Sequence, residues 1–363
     1  MVRRPRRLYN GIMLQAIKNL MGGGFATRFY TELKQLHVAP DMGLMVFLEQ
    51  QRSFKERSAM ERIDVFAHVL PERFYAKMLA VEPTIPQTYA FFNNPVLQSI
   101  EERRKHWDGT TRQVISFVNA LPEDYMGPQE AAALCREANE ELLQMVRDNR
   151  DLFEAAVLMV PMNNIDEAVA IVRDQVLGDP DAVGVQVFTR ALGRSIADDE
   201  FRPLFEALAE AGAPAWLHPV FDLRKPDNNI VFSWEYELTQ AMLQLVQAGT
   251  FKALPNLKVI CHHAGAMVPF FAGRVDHILP PDQAADMRRF YADTAILGNT
   301  KALELAVDYY GIDHVLFGTD APLGILPAGA TKEISEAILA MDVTDEDKQA
   351  IFAGNYRTIL KGE

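Results

Sequence analysis

Three histidines and one aspartate close short apolar runs in this 363-residue chain. His68 ends Ile63-Asp-Val-Phe-Ala-His68, His218 ends Ala215-Trp-Leu-His218, His263 ends Val259-Ile-Cys-His-His263, and Asp320 ends Val315-Leu-Phe-Gly-Thr-Asp320. Imidazole and carboxylate ligate zinc, manganese and iron, and three protein donors with an open position make a catalytic metal site rather than a structural one. An ion held there lowers the pKa of bound water and polarises a substrate carbonyl or hydroxyl. Beside it, Asp320 could take a proton and His263 could deliver one. A lone histidine is more often a core residue, but four donors at strand ends point to chemistry. His262 alternates to the opposite face from His263 and is expected to pack against a helix.

Residues so far apart in sequence need a fold that gathers strand ends. The runs are Ile63–Val69, Gln113–Val118, Ala155–Val160, Gly184–Phe188, Ala215–His218, Lys258–Cys261, Phe290–Ala292 and Val315–Phe317. Helical patterns such as Asn164–Val176 and Glu200–Ala211 lie between them. Eight strands alternating with helices close a barrel, and runs apolar on both faces suit strands buried on both sides. The expected fold is therefore α/β, a (β/α)8 TIM barrel over residues 61–363 with an N-terminal helical arm over 1–60. Insertions at about 72–111 and 219–256 fall at strand ends, where a lid or pocket wall belongs. An open doubly wound sheet would carry a glycine-rich first turn, whereas His68-Val-Leu-Pro71 has no glycine.

Composition narrows the partners. Lys and Arg number 36 against 49 Asp and Glu, a net charge of −13, and 49% of residues are apolar. Such a chain buries a large core, and its charge repels phosphate backbones, so no nucleic-acid partner is expected. No apolar run approaches the ~18 residues of a membrane span. Two cysteines, Cys135 and Cys261, form no disulfide framework, which suits a cytoplasmic protein. The basic, acid-free start, with Ile12–Met21 and Gly22–Gly24 reading as a short amphipathic helix and its stop, is expected to pack on a partner subunit.

The strand ends and their neighbours resemble the amidohydrolase superfamily. The resemblance rests on Ile63–Pro71, Val160-Pro-Met162, Gly184-Val-Gln186, Leu217-His-Pro219, His263-Ala-Gly265 with Pro269 and Gly273-Arg274, Tyr291-Ala-Asp-Thr294 and Phe317-Gly-Thr-Asp-Ala-Pro322. Seven elements in order point to the amidohydrolase-related group that includes aminocarboxymuconate-semialdehyde and resorcylate decarboxylases. The resemblance implies a divalent metal, zinc foremost with manganese or iron as alternatives, on His68, His218 and Asp320. His263 then matches a sixth-strand histidine that transfers protons or holds a second metal. The family's first strand carries His-x-His, and here Phe66 stands in place of the first histidine.

Two functions follow. The first is a metal-dependent enzyme decarboxylating or hydrolysing a small carboxylated substrate. Arg190 and Arg224 near the rim are candidates to pair its carboxylate, and Trp234 to wall the pocket. Arg274 matches an arginine that, in similar decarboxylases, reaches a neighbouring subunit's substrate, implying a homodimer. The second is an altered or structural subunit of a hetero-oligomer, such as a metal-dependent oxygenase, whose sister barrel keeps the full ligand set; Phe66 motivates it.

Overall fold

The structure is a computed structural model that describes residues 60–361 except 223, 226 and 227. The arm expected over residues 1–60 lies outside the described residues apart from Met60. Seven parallel strands form one sheet: β1 (Ile63–Val69), β2 (Arg112–Phe117), β3 (Phe153–Leu158), β4 (Ala182–Phe188), β5 (Ala215–His218), β6 (Val259–Cys261) and β7 (Tyr291–Ala292). The sheet follows chain order, each strand hydrogen-bonding the next. Strand ends match the sequence expectation closely because Val, Ile and Phe runs fit a pleated surface buried on both faces.

The eighth run, Val315–Phe317, departs from expectation. It makes single parallel bridges instead of a ladder, Ala292 to Val315 on one side and, just beyond it, Ala67 to Ala321 on the other. Leu316 N–H donates to the Ala292 carbonyl and Val65 N–H to the Phe317 carbonyl, each at 2.8 Å. These bonds join β7 back to β1, so the curled sheet is TIM-barrel-like.

Four helices matter below: α1 (Ile100–His106), α2 (Pro128–Asp148), α3 (Ser233–Gln247) and α4 (Thr331–Leu339). The first inserted stretch is helical rather than open loop, ending in α1, whose N-terminus Ser99 caps through its Oγ on Glu102 N–H. The second carries α3. One core cluster takes residues from most of the strands, among them Val65, Val114, Val157, Trp216, Ile260 and Leu316. Trp216 belongs to this core and donates its indole N–H to the Val65 carbonyl at 3.1 Å. Among the described residues no helix is long and apolar enough to cross a membrane.

Candidate active site

Parallel register brings the strand ends level. Phe188 pairs with His218, Leu217 with Cys261, and His68 with Ser116. His218 Nε2 consequently comes 3.2 Å from His68 Nε2, which is also 3.3 Å from Asp320 Oδ1. His68 is fully buried, His218 nearly so, and the Asp320 side chain is 18% exposed at the mouth.

The hydrogen bonds fix which nitrogens carry protons. His218 Nδ1 lies 2.5 Å from the Pro219 carbonyl, which can only accept, so Nδ1 is the donor and Nε2 presents a lone pair. Burial, followed by the neighbouring His68 and His262 rings, holds the His218 pKa well below its ordinary value, so the ring is neutral. His68 Nδ1 meets Ser116 Oγ at 3.0 Å, and its Nε2 faces a lone pair on one side and a carboxylate on the other. A single N–H cannot serve both.

His68 Nε2 stands next to a donor atom on either side, at a spacing compatible with shared ligation of a cation. Two ligands each about 2.0–2.1 Å from one tetrahedral ion lie roughly 3.3 Å apart, the spacing found on both sides of His68. His218 and Asp320 make no ion pair with each other, and no three His, Cys, Asp or Glu side chains among the described residues already ring one point.

Phe66 fills the position beneath. Its ring centroid is 4.7 Å from that of His68, 5.4 Å from His218 and 3.4 Å from His262, against which it stacks. His262 therefore does not pack against a helix as expected. Its N–H bonds the Leu217 carbonyl, placing it level with His218, and its ring enters the same cluster. Asp293 lies 2.5 Å from His262 Nδ1, and His262 Nε2 is buried with no partner. Asp293 also accepts from the N–H groups of His263 and Ala295. Burial raises its pKa to about 6 despite these donors.

His263 leaves the strand in a left-handed conformation, φ 58°, and Asp320 does the same at φ 61°. Strained backbone of this kind in non-glycine residues concentrates at functional sites. The turn swings His263 away from the His68 group toward α3, where Nδ1 meets Glu235 Oε1 at 2.7 Å. Burial pulls the His263 pKa down, but the Glu235 carboxylate and then Asp320 outweigh it and lift the value to about 9. His263 is thus an imidazolium held by Glu235, which suits it to act as an acid.

The profile of the amidohydrolase family matches residues 115–361. This chain belongs to the amidohydrolase family. It is 27% identical over 273 residues to 2-amino-3-carboxymuconate-6-semialdehyde decarboxylase of Dictyostelium discoideum, covering 70% of this chain and 73% of that protein. It is 25% identical over 326 residues to 6-methylsalicylic acid decarboxylase of Penicillium expansum, covering 81% and 94%. Among solved structures it is similar to a dihydroxybenzoic acid decarboxylase from Polaromonas sp. JS666 with bound manganese and 2-nitroresorcinol, at a TM-score of 0.69 and 19% identity, covering 83% of this chain and 97% of that one.

The arginines expected at this amidohydrolase's rim are otherwise employed. Arg190 donates to Glu237 Oε2 at 2.9 Å and to the Gly193 carbonyl, and Arg224 pairs with Asp124 and Asp222. Both are drawn into ion pairs with the chain's own carboxylates. Arg274 is exposed on the short helix Ala272–Ile278 and makes no ion pair among the described residues. Trp234 does line the site: its ring lies 6.1 Å from His218 and its buried indole N–H has no partner. Asn119 Oδ1, Gln186 Oε1 and Thr189 Oγ1, all at or just beyond strand ends, are likewise buried and unpartnered. The sequence reading missed these three and Glu235; Gln186 and Asp293 stood within quoted motifs but without a role.

Proposed function

We propose that this amidohydrolase is a metal-dependent decarboxylase of a small carboxylated, aromatic or similarly unsaturated, substrate. The single observation carrying the reading is His68 Nε2 at 3.2 and 3.3 Å from donors on His218 and Asp320. His68, His218 and Asp320 would hold the ion, which supplies polarisation of a substrate oxygen when bound. The relatives' decarboxylase activities and the manganese in the similar Polaromonas structure support the substrate class and favour manganese over the zinc expected first.

His263 is the proton donor in this reading. Glu235 holds Nδ1 and leaves the other ring N–H for the substrate. Delivering that proton to the carbon bearing the carboxylate makes the carbon tetrahedral; the carbon–carboxylate bond then breaks, its electron pair returns to the unsaturated system and CO2 departs. Phe66, stacked on His262, keeps water from the floor; the Trp234 indole N–H donates to a substrate oxygen, and the amide oxygens of Gln186 and Asn119 accept from a substrate hydroxyl.

The test is reconstitution of the full chain with manganese or zinc, elemental analysis, and a panel of hydroxybenzoates followed by CO2 release in deuterated water. Expected are about one equivalent of metal and a product deuterated at the vacated carbon. Metal below about a tenth of an equivalent, together with no CO2 from any member of the panel, would overturn the proposal.

A further inference from the structure

Outside the barrel wall, between α1 and α4, lies a cavity of about 320 Å³. That volume is at the lower end for small-molecule sites. Arg103 lines it and is only 4% exposed. Its guanidinium donates through Nη1 to Gln113 Oε1 at 2.7 Å and through Nη2 to the His68 carbonyl, and its Nε has no partner. No carboxylate forms an ion pair with it among the described residues. Burial lowers its pKa to about 10, with Asp64 as a more distant negative charge. A buried cation without a counter-ion is costly, so this guanidinium is incomplete as it stands.

Two further orphans face the same cavity. Ser335, on α4 and 4% exposed, has a hydroxyl without a partner, and Arg62 has an unpartnered Nε. The Arg62 guanidinium lies over the Phe352 ring, and its ion pair among the described residues is a long 3.9 Å contact to Asp108, whose oxygens are already taken by Thr110 and Thr111. The other lining acid, Glu336, is exposed and 4.0 Å from Lys332. The remaining walls are largely apolar, with Trp107, Val96, Leu152, Pro322 and Leu339 among them.

We propose that this cavity binds a small organic carboxylate, its charge on Arg103, Arg62 and the Ser335 hydroxyl and its apolar body against Trp107 and Leu152. Guanidinium and carboxylate are matched in geometry, and three of the five Arg103 N–H groups remain to be used. Apolar walls favour an organic anion over inorganic phosphate. The site is separate from the rim and does not depend on the chain's being a decarboxylase. Arg103 nevertheless holds the His68 carbonyl, so occupancy reaches the strand end that carries His68.

The experiment is calorimetric titration of benzoate into the full chain and into Ser335→Phe, Arg103→Lys and His218→Ala, with inorganic phosphate as a second probe. Expected is benzoate binding that survives His218→Ala and weakens at least tenfold in Ser335→Phe and Arg103→Lys, with phosphate at least tenfold weaker. Hydrogen exchange on the unaltered chain supplies a readout free of folding defects: benzoate should protect residues 100–107 and 331–339. Binding abolished by His218→Ala and kept in Ser335→Phe would put benzoate at the rim and overturn the proposal. So would phosphate binding as tightly as benzoate, or no protection of those two segments.

Discussion

Phe66 lies flat against His262, with ring centroids 3.4 Å apart and planes 15° from parallel. An apolar ring thus occupies the position beside His68 where the family's first strand carries a second histidine, and it faces a histidine whose Nε2 is buried without a partner. The stack makes the floor of the site rigid and dry, and it leaves the proposed metal set at three donors. Phe66→His adds an imidazole 1% exposed in the middle of four others. The variant should bind manganese or zinc at least tenfold more tightly by calorimetry, while losing about 1–3 kcal/mol of stability from the broken packing. Unchanged affinity would mean that the ion does not sit beside residue 66.

His263 and Glu235 predict an alkaline limb. With a pKa of about 9, His263 is protonated through the neutral range, so CO2 release should hold up to about pH 8 and fall as the ring deprotonates near pH 9. Glu235→Gln removes the largest raising influence and should move that fall down by at least one pH unit. The same shift bears on stability. The folded value lies above the ordinary 6.5, so the contribution is complete below about pH 6.5 and is lost as pH rises through about 9. It amounts to roughly 3 kcal/mol at most, and urea melts of the wild-type chain should weaken over that window more than those of Glu235→Gln.

How much of this was legible in sequence differs by scale. β1 and β5 match the expected bounds residue for residue because local apolar runs fix them, and register between neighbouring strands then sets His68, His218 and Asp320 at one end. His262, expected to pack against a helix, instead enters the cluster. Alternation holds to Cys261: His262 continues the line of Ile260 into the cluster, and His263 comes beside Phe66 as well because its backbone turns left-handed. Backbone sign changes of that kind leave no pattern in composition. Glu235 was invisible because its partner is 28 residues away on a different element, and Arg190 and Arg224 looked free because Glu237 and Asp124 meet them only through tertiary packing.

Asp64 supports the Asp320 strand from beneath. It accepts from Thr319 Oγ1 at 2.6 Å, from Thr319 N–H at 3.0 Å and from Phe66 N–H at 3.1 Å. Burial raises its pKa to about 7, so ionising it opposes folding, and its contribution falls as pH rises from about 4 to 7. Thr319→Val removes one donor at constant shape and should destabilise the chain by about 1–3 kcal/mol at pH 7.5, and by less at pH 5 where a protonated Asp64 needs fewer donors. Equal losses at both pH values in thermal melts would contradict this.

Gly318 sets how closely Phe66 and Asp293 can approach. A Cβ there would come within 2.8 Å of Asp293 Cβ and 3.1 Å of Phe66 Cβ, neither of which is the end of a flexible side chain. Gly318→Ala should therefore cost about 1–3 kcal/mol and weaken metal binding together with it, because Phe66 and the Asp320 turn share that space. A variant that melts like wild type would show that the floor has slack the packing does not suggest.

Trp234 separates binding from chemistry. Its indole N–H is buried without a protein partner, 6.1 Å ring to ring from His218, and is placed to donate to a ligand in the pocket. Trp234→Phe keeps an aromatic wall and deletes the donor. Loss of one hydrogen bond to a charged substrate oxygen is worth about 1.5–3 kcal/mol, so KM should rise roughly ten- to hundredfold with kcat nearly unchanged. Arg190→Ala should do the reverse of what a carboxylate anchor would: with its fork committed to Glu237 and Gly193, it should lower stability and leave KM within about twofold. A large KM effect at Arg190 and none at Trp234 would move the substrate to the other side of the mouth.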